Sequence, residues 1–119
     1  MTKILVIDDD DSIREYMKTL LELEGYIAHE AKNGLHGIEL AMELQPDIIL
    51  MDMHMPLMSG MVAIRTLRES RKYIYPIIAV TANASIAEVR QIIDIGCDGF
   101  IPKPISNNFT QLLKPFIKK

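Results

Sequence analysis

The sequence lacks the features that mark secreted and membrane-bound proteins. Its single cysteine, Cys97, excludes an internal disulfide and fits a reducing compartment. Cys97 itself is interpreted as a small buried hydrophobic residue. The N-terminus passes directly into a short strand-like run, with no signal peptide, and no apolar stretch approaches the length of a membrane span. We therefore expect a soluble cytoplasmic protein that does not contact a membrane.

Positive charge is also scarce, and it is not concentrated in any part of the chain. The 13 lysines and arginines are outnumbered by 16 aspartates and glutamates, which gives a net charge of −3. No basic stripe is present, which argues against direct binding of nucleic acid. The one local run of charge is acidic, from Asp8 to Asp11. With 119 residues, 49% of them hydrophobic, the chain is long enough for one domain around one core.

One stretch of the sequence combines a buried strand with an acid. Four apolar residues, from Ile48 to Met51, follow Pro46 and Asp47 and lead directly into Asp52. A continuous apolar run of this length is typical of a strand that is buried on both faces. A buried carboxylate is costly unless it is paired or coordinates a metal. We therefore expect other residues of the chain to converge on Asp52.

Apolar runs and helical periodicities alternate along the chain. Strands are predicted over 3–7, 26–30, 48–52, 77–80 and 99–101. The first two helices are predicted to end at Gly25 and before Pro46, and the later ones to span 61–68, 85–95 and 107–114. Pro115 is expected to end or kink the last helix. Five strand–helix units of this kind predict an α/β fold, a doubly wound parallel sheet with helices on both faces.

Polar side chains follow four of the predicted strands. Asp8 and Asp9 follow the first, Asp52 ends the third, Thr81 follows the fourth, and Lys103 follows the fifth. The carboxyl ends of parallel strands lie on one edge of a sheet, where ligands bind. Three converging carboxylates need a cation to remain ionised, and an all-oxygen ligand set suits Mg²⁺. A metal, a lysine and a hydroxyl around a carboxylate nucleophile predict a phosphoryl-transfer site.

Four blocks of the sequence resemble the signature blocks of one known family. They are Ile4-Leu5-Val6-Ile7-Asp8-Asp9, Met51-Asp52-Met53-His54-Met55-Pro56, Val80-Thr81-Ala82 and Lys103-Pro104. In this order, each at a strand end, they resemble the CheY-like receiver domains of response regulators. The resemblance implies a flavodoxin-like sheet with strand order 2-1-3-4-5 and a single receiver domain over 1–119, without an output domain in this chain.

The resemblance also implies roles for individual residues. Asp52 would be the phosphoacceptor, taking a phosphoryl group from a sensor histidine kinase or a histidine-phosphotransfer protein. Asp8, Asp9 and Asp52, with the backbone carbonyl of His54, would bind Mg²⁺, with Mn²⁺ as an alternative. Lys103 would pair with Asp52 or its phosphate, across a Lys103–Pro104 bond that is usually cis in the family.

A second set of implied roles concerns the response to phosphorylation. The backbone of Ala82 would contact the phosphoryl group, Thr81 would move toward it, and Phe100 would turn into the space that Thr81 leaves. The surface formed by helix 4, strand 5 and helix 5 would then present a changed face to a downstream protein or output domain. The protein would be a monomer or a phosphorylation-dependent dimer. It would not be an enzyme, except that it catalyses its own phosphorylation and dephosphorylation.

Several alternatives remain open at this stage. His54 stands where the family often has a small polar residue, and it either faces the phosphoryl group or offers only its carbonyl. Asp10 and Asp11 are interpreted as the start and cap of a helix rather than as metal ligands. Five methionines near His54, at 51, 53, 55, 58 and 61, either fill the core or bind Cu(I). A phosphatase of the haloacid-dehalogenase type and an unphosphorylated scaffold are two further alternatives.

Overall fold

The computed structural model describes residues 1–117, so the last two residues of the domain predicted over 1–119 lie outside it. The described chain alternates strands and helices throughout. The strands are β1 (Lys3–Ile7), β2 (Ile27–Ala31), β3 (Ile48–Asp52), β4 (Ile77–Thr81) and β5 (Gly99–Pro102). The α-helices are α1 (Asp11–Leu23), α2 (Gly34–Leu44), α3 (Gly60–Arg65) and α4 (Ile86–Asp94). A π-helical turn (Thr66–Ser70) extends α3, and a final 3₁₀ helix covers Phe109–Phe116.

All five strands are parallel and lie in the order β2-β1-β3-β4-β5, which confirms the predicted fold. Both faces of the sheet are covered, because successive strand residues alternate between two core clusters. One cluster packs the sheet against α2, α3 and α4, and the other packs it against α1 and the final helix. Every residue of β3 and β4 is buried, as a continuous apolar run requires.

The ends of several elements differ slightly from the prediction. β2 begins and ends one residue later than 26–30, and β4 extends one residue further, to Thr81. The predicted helix over 61–68 changes to a π-helical turn after Arg65. Hydrophobic periodicity does not distinguish these helix types, because it reports only which residues are buried.

The last helix ends at Phe116, one residue beyond Pro115, where the sequence predicted an end or a kink. The helix continues through Pro115 to Phe116, and it is a 3₁₀ helix rather than an α-helix. Pro115 has no N–H to donate in either type of helix, and only Phe116 follows it before the helix ends, where the Ile117 amide donates to the carbonyl of Lys114 at 3.2 Å. Phe116 packs against the core cluster, which favours continuing the helix past the proline.

Candidate functional site

Three carboxylates meet at the carboxyl edge of the sheet. Asp8 and Asp9 follow β1, Asp52 ends β3, and one oxygen from each side chain lies within 4.8 Å of the others. Asp8 and Asp52 are each only 1% exposed, whereas Asp9 is exposed. The register of neighbouring strands explains this convergence, because Ile7 pairs with Met51 and strands β1 and β3 therefore end side by side.

Backbone and side-chain hydrogen bonds hold the loop that carries Asp8. The amide of Asp10 donates to Asp8 Oδ1 at 2.9 Å, and the guanidinium of Arg14 donates to the backbone carbonyl of Asp8 at 2.7 Å. Asp10 caps α1 by accepting from Ser12 and Ile13, while Asp11 lies in its first turn and pairs with Arg14. The interpretation of Asp10 and Asp11 as helix start and cap therefore agrees with the structure.

Lys103 supplies the positive charge of the cluster. Its ammonium nitrogen lies 3.2 Å from Asp52 Oδ1 and 3.5 Å from Asp8 Oδ2. The backbone of Lys103 donates to the carbonyl of Thr81 at 2.8 Å, just beyond the paired ends of β4 and β5. The Lys103–Pro104 peptide bond is cis, as the resemblance implies. Lys103 is thus placed against Asp52, although the two residues lie 51 positions apart in the sequence.

The electrostatics of the cluster favour the arrival of a cation. Burial raises the pKa of Asp52 to about 6, and the neighbouring Asp8 carboxylate adds to this, while the His54 amide and Lys103 oppose it. Burial disfavours the charge of Lys103, but Asp8 and Asp52 outweigh that effect and raise its pKa. The carboxylates thus attract positive charge, and burial makes an isolated negative charge at Asp52 costly.

The donor set fits a hard divalent cation. Asp8 Oδ2 is buried and accepts no hydrogen bond among residues 1–117, and it forms an ion pair with the Lys103 ammonium at 3.5 Å, so it retains capacity for a further ligand. Three carboxylate oxygens with no sulfur or imidazole nitrogen among them are the kind of ligand set that Mg²⁺ takes in proteins. Asp8, Asp9 and Asp52 are therefore the residues that could hold such an ion.

His54 lies on the rim of the site. Its backbone amide donates to Asp52 Oδ1 at 3.2 Å. Its side chain is 61% exposed, and Nε2 lies 3.8 Å from Glu88 Oε1 on α4. The ring is thus directed toward α4, while its predicted metal contact through the carbonyl stays a prediction.

Thr81, the predicted switch residue, is buried at the end of β4. Its hydroxyl oxygen accepts from the amide of Asn83 at 3.0 Å and lies 3.1 Å from Glu88 Oε2. Ala82 is exposed beside it, and Phe100 on β5 is 38% exposed. The sequence analysis missed Glu88, although Ser85-x-x-Glu88 is a visible capping-box pattern at the start of a helix.

The methionines near His54 fill the core rather than surround an open site. Met51, Met53 and Met55 are buried members of the core cluster on the α2–α4 face, and Met58 and Met61 pack against it. This favours the packing interpretation over Cu(I) binding.

Fold and site together define a class: a doubly wound domain with a buried aspartate, an acid pair and a lysine at the carboxyl edge of its sheet. A family model described as "Response regulator receiver domain" matches residues 4–114. The chain belongs to this family. It is therefore a receiver domain with a phosphoacceptor role in two-component signalling, and such domains are signalling proteins rather than classical enzymes.

Two curated relatives illustrate the range of proteins that contain this domain. The chain is 33% identical over 116 residues to the polar-differentiation response regulator DivK of Brucella anthropi, covering 96% of this chain and 94% of DivK. It is 36% identical over 105 residues to the DNA-binding dual master transcriptional regulator RpaA of Synechocystis, covering 87% of this chain. That match spans only 44% of RpaA, so the chain corresponds to less than half of that relative.

Solved structures agree with the fold. Chemotaxis protein CheY4 of Vibrio cholerae superposes with a TM-score of 0.93 at 27% identity, covering 98% of this chain and 99% of CheY4. The receiver domain of sensor histidine kinase PA1611 from Pseudomonas aeruginosa, solved with a magnesium ion coordinated in its active-site cleft, has a TM-score of 0.84 at 26% identity. The match covers 97% of this chain and 96% of that domain.

Among residues 1–117 there is no helix long and apolar enough to cross a membrane.

Proposed function

We propose that Asp52 is the phosphoacceptor of this receiver domain. The observation that carries the proposal is the placement of a buried carboxylate 3.2 Å from the Lys103 ammonium and beside the Asp8–Asp9 pair. A carboxylate oxygen of Asp52 attacks the phosphorus of a phosphohistidine, a P–O bond forms, and the P–N bond to the imidazole breaks with its electron pair. Lys103 is close enough to pair with the charge that develops on the phosphoryl oxygens.

Asp8, Asp9 and Asp52 hold the divalent cation that this reaction needs, Mg²⁺ or in its place Mn²⁺. When bound, that cation neutralises charge on the phosphoryl oxygens during transfer. The buried Asp8 oxygen that accepts no hydrogen bond and the oxygen-only donor set support this assignment. The magnesium ion in the related PA1611 receiver domain supports it independently.

The donor protein docks in a groove that opens beside Lys103. The groove has a volume of about 290 Å³ and is lined by Ser12, Ile13, Tyr16, Lys103, Pro104 and Ile105. Its lining is largely apolar, and it joins α1 to the loop after β5. A sensor histidine kinase or phosphotransfer protein that filled it would bring its phosphohistidine to the open side of the site. Tyr16→Ser is therefore expected to slow transfer from a kinase while leaving labelling by acetyl phosphate unchanged.

Phosphorylation is transmitted through Thr81 and Phe100 to the surface of α4, β5 and the final helix. The phosphoryl group carries about −1.5 to −2 charges in place of the single charge of the Asp52 carboxylate, and its oxygens attract the Thr81 hydroxyl and the backbone amide of Ala82. Exposed apolar side chains already lie on this surface, and they supply the contact area for a downstream protein or output domain. They are Ile86, Ile93, Phe100 and Leu112.

The domain also catalyses its own dephosphorylation: water attacks the phosphorus, the P–O bond to Asp52 breaks with its electron pair returning to the carboxylate, and inorganic phosphate leaves. The exposed His54 and Ala82 mark the side of the site that is open to water. The single-domain organisation over 1–119, the cytoplasmic location, the absence of nucleic-acid and membrane contacts, and the state of monomer or phosphorylation-dependent dimer stay predictions.

Phosphoryl labelling of variants tests the assignment of Asp52. Acetyl phosphate with Mg²⁺ is expected to label the wild-type protein and not Asp52→Asn, as measured by intact mass. Asp94→Asn, which removes an exposed aspartate on α4, is the matched control and should label like the wild type. Full labelling of Asp52→Asn would exclude Asp52 as the phosphoacceptor.

A further inference from the structure

The hydroxyl group of Thr81 is committed to a carboxylate on α4. Thr81 Oγ1 lies 3.1 Å from Glu88 Oε2 and 3.2 Å from the carbonyl oxygen of Asn83, while it accepts from the Asn83 amide at 3.0 Å. A threonine hydroxyl has one proton, and an ionised carboxylate can only accept. Glu88 is therefore an acceptor for the single proton of Thr81, and a hydrogen bond to a carboxylate is stronger than one to a neutral carbonyl.

Glu88 is available for this contact because its capping pattern is only half used. Ser85 caps α4 by accepting from the Glu88 amide at 3.2 Å. In a complete capping box the Glu88 side chain would return to the Ser85 amide. Here that amide donates instead to the side chain of Asn83 at 3.1 Å. The Glu88 carboxylate thus reaches across to the end of β4.

The surroundings of Glu88 offer it few other partners. Its side chain is only 15% exposed, and its second oxygen lies 3.8 Å from Nε2 of His54. A largely buried carboxylate is costly without donors, so the Thr81 hydroxyl stabilises it in this position. The contact therefore favours the arrangement in which Thr81 faces α4, and it does so without any ligand at Asp52.

We propose that Glu88 is a positioning residue that holds the Thr81 hydroxyl toward α4 in the unphosphorylated domain and competes with the phosphoryl group for it. The inference rests on the proposed function of Asp52. One proton cannot serve both acceptors, so Thr81 leaves Glu88 when it turns to the phosphoryl group. Glu88 then loses a partner in the first turn of α4, which couples the event at Asp52 to that helix.

The magnitude follows from the strength of such a bond. Hydrogen bonds to charged groups are at the strong end of the range, but water reaches Glu88 in part, which reduces the net effect. We expect its removal to favour the Thr81 position that faces Asp52 by about 3- to 10-fold. The apparent affinity for a phosphoryl analogue should tighten by up to the same factor, because a larger fraction of the protein is competent to bind.

The experiment compares Glu88→Ala and Glu88→Gln with the wild type. Asp94→Ala is the matched control, because Asp94 is an exposed carboxylate on the same helix. The first measurement is the side-chain rotamer of Thr81, from NMR couplings of isotope-labelled threonine in protein without ligand. The second is the apparent affinity for beryllofluoride with Mg²⁺, measured in the wild-type and the Thr81→Ala backgrounds.

The expected result is a changed Thr81 rotamer distribution in Glu88→Ala and a smaller change in Glu88→Gln, which keeps a weaker acceptor. Asp94→Ala should show no change. Tighter beryllofluoride binding by Glu88→Ala should disappear in the Thr81→Ala background, since Glu88 acts through that hydroxyl.

Two results would overturn the inference. One is an unchanged Thr81 rotamer in Glu88→Ala, and the other is an equal gain in affinity with and without the Thr81 hydroxyl, which would indicate simple charge repulsion. A wild-type protein that does not bind beryllofluoride would contradict the proposed function of Asp52 instead, and the rotamer measurement would still decide the role of Glu88.

Discussion

Replacing Asp52 with asparagine removes a buried negative charge, and we expect the metal-free protein to become more stable. Burial raises the pKa of Asp52 from 3.8 to about 6, and the Asp8 carboxylate contributes, although the His54 amide and Lys103 act in the opposite direction. A raised pKa means that the folded protein disfavours the ionised form relative to the unfolded chain. At neutral pH the ionised side chain therefore weakens folding.

The size of the stability gain of Asp52→Asn, and the pH range in which it develops, follow from the same shift in the pKa of Asp52. Two pKa units correspond to about 3 kcal/mol, because each unit is worth 1.36 kcal/mol. The unfolded chain loses the Asp52 proton near pH 4, whereas the folded protein keeps it until about pH 6. The folded state thus binds more protons in that window, so this contribution to stability is lost as pH rises from 4 to 6. The advantage of Asp52→Asn should be about 3 kcal/mol at pH 7 and close to zero at pH 4.

Urea denaturation in the presence of a chelator measures this difference at a series of pH values. At pH 7 the expected stability difference between Asp52→Asn and the wild type corresponds to a rise in melting temperature of about 10 °C for a domain of this size. Asp94→Asn, at an exposed site on α4, is the control and should change stability little. Adding Mg²⁺ should stabilise the wild type more than Asp52→Asn, because the ion binds the folded state through this carboxylate. A stability difference that does not vary with pH would refute the reasoning.

Three further predictions concern the metal site and the stability of the fold. Asp9→Asn should lower Mg²⁺ affinity about 10-fold or more, with little loss of folding stability because Asp9 is exposed. An unchanged affinity, measured by calorimetry, would exclude Asp9 as a ligand. Arg68→Ala should lower the free energy of unfolding by about 3 kcal/mol, because the Arg68 guanidinium donates to three backbone carbonyls and a carboxylate around β4. Urea denaturation measures this, and a loss below about 0.5 kcal/mol would contradict it. Gly60→Ala should lower the free energy of unfolding by more than about 2 kcal/mol and weaken Mg²⁺ binding, because the added Cβ would meet the backbone of Asp52 and Met53. A variant as stable as the wild type would contradict this.

The fold and the centre of the site could be predicted from the sequence because both follow from short-range patterns. Unbroken apolar runs such as 48–52 specify buried parallel strands, and the residues just beyond them must share one edge of the sheet. Asp8 and Asp52 are brought together by strand register alone. Lys103 reaches them for the same reason, although it lies 51 residues from Asp52 in the chain.

The remaining features depend on contacts that leave no periodic signal. Glu88 belongs to a pattern that predicts a local cap, and its side chain is free for Thr81 because the Ser85 amide donates to the side-chain oxygen of Asn83 instead. Arg14 is one of several charged residues on α1, and nothing in its spacing indicates a bond to the Asp8 carbonyl. The 3₁₀ geometry of the final helix likewise leaves no periodic signal, because periodicity reports burial and not the type of helical hydrogen bond.

The charges of the site indicate why ion binding, phosphorylation and the switch are linked. With all groups ionised, three carboxylates and Lys103 leave an excess of two negative charges, which one divalent cation would balance. Converting Asp52 to an acyl phosphate adds up to one further negative charge, and this excess remains for neutral donors to stabilise. Thr81 is a buried hydroxyl at this edge, but it already serves Glu88, a carboxylate on another element. Under the proposed function, the phosphoryl group would recruit Thr81 only by breaking a contact with α4, and that helix would then report directly on the charge at Asp52.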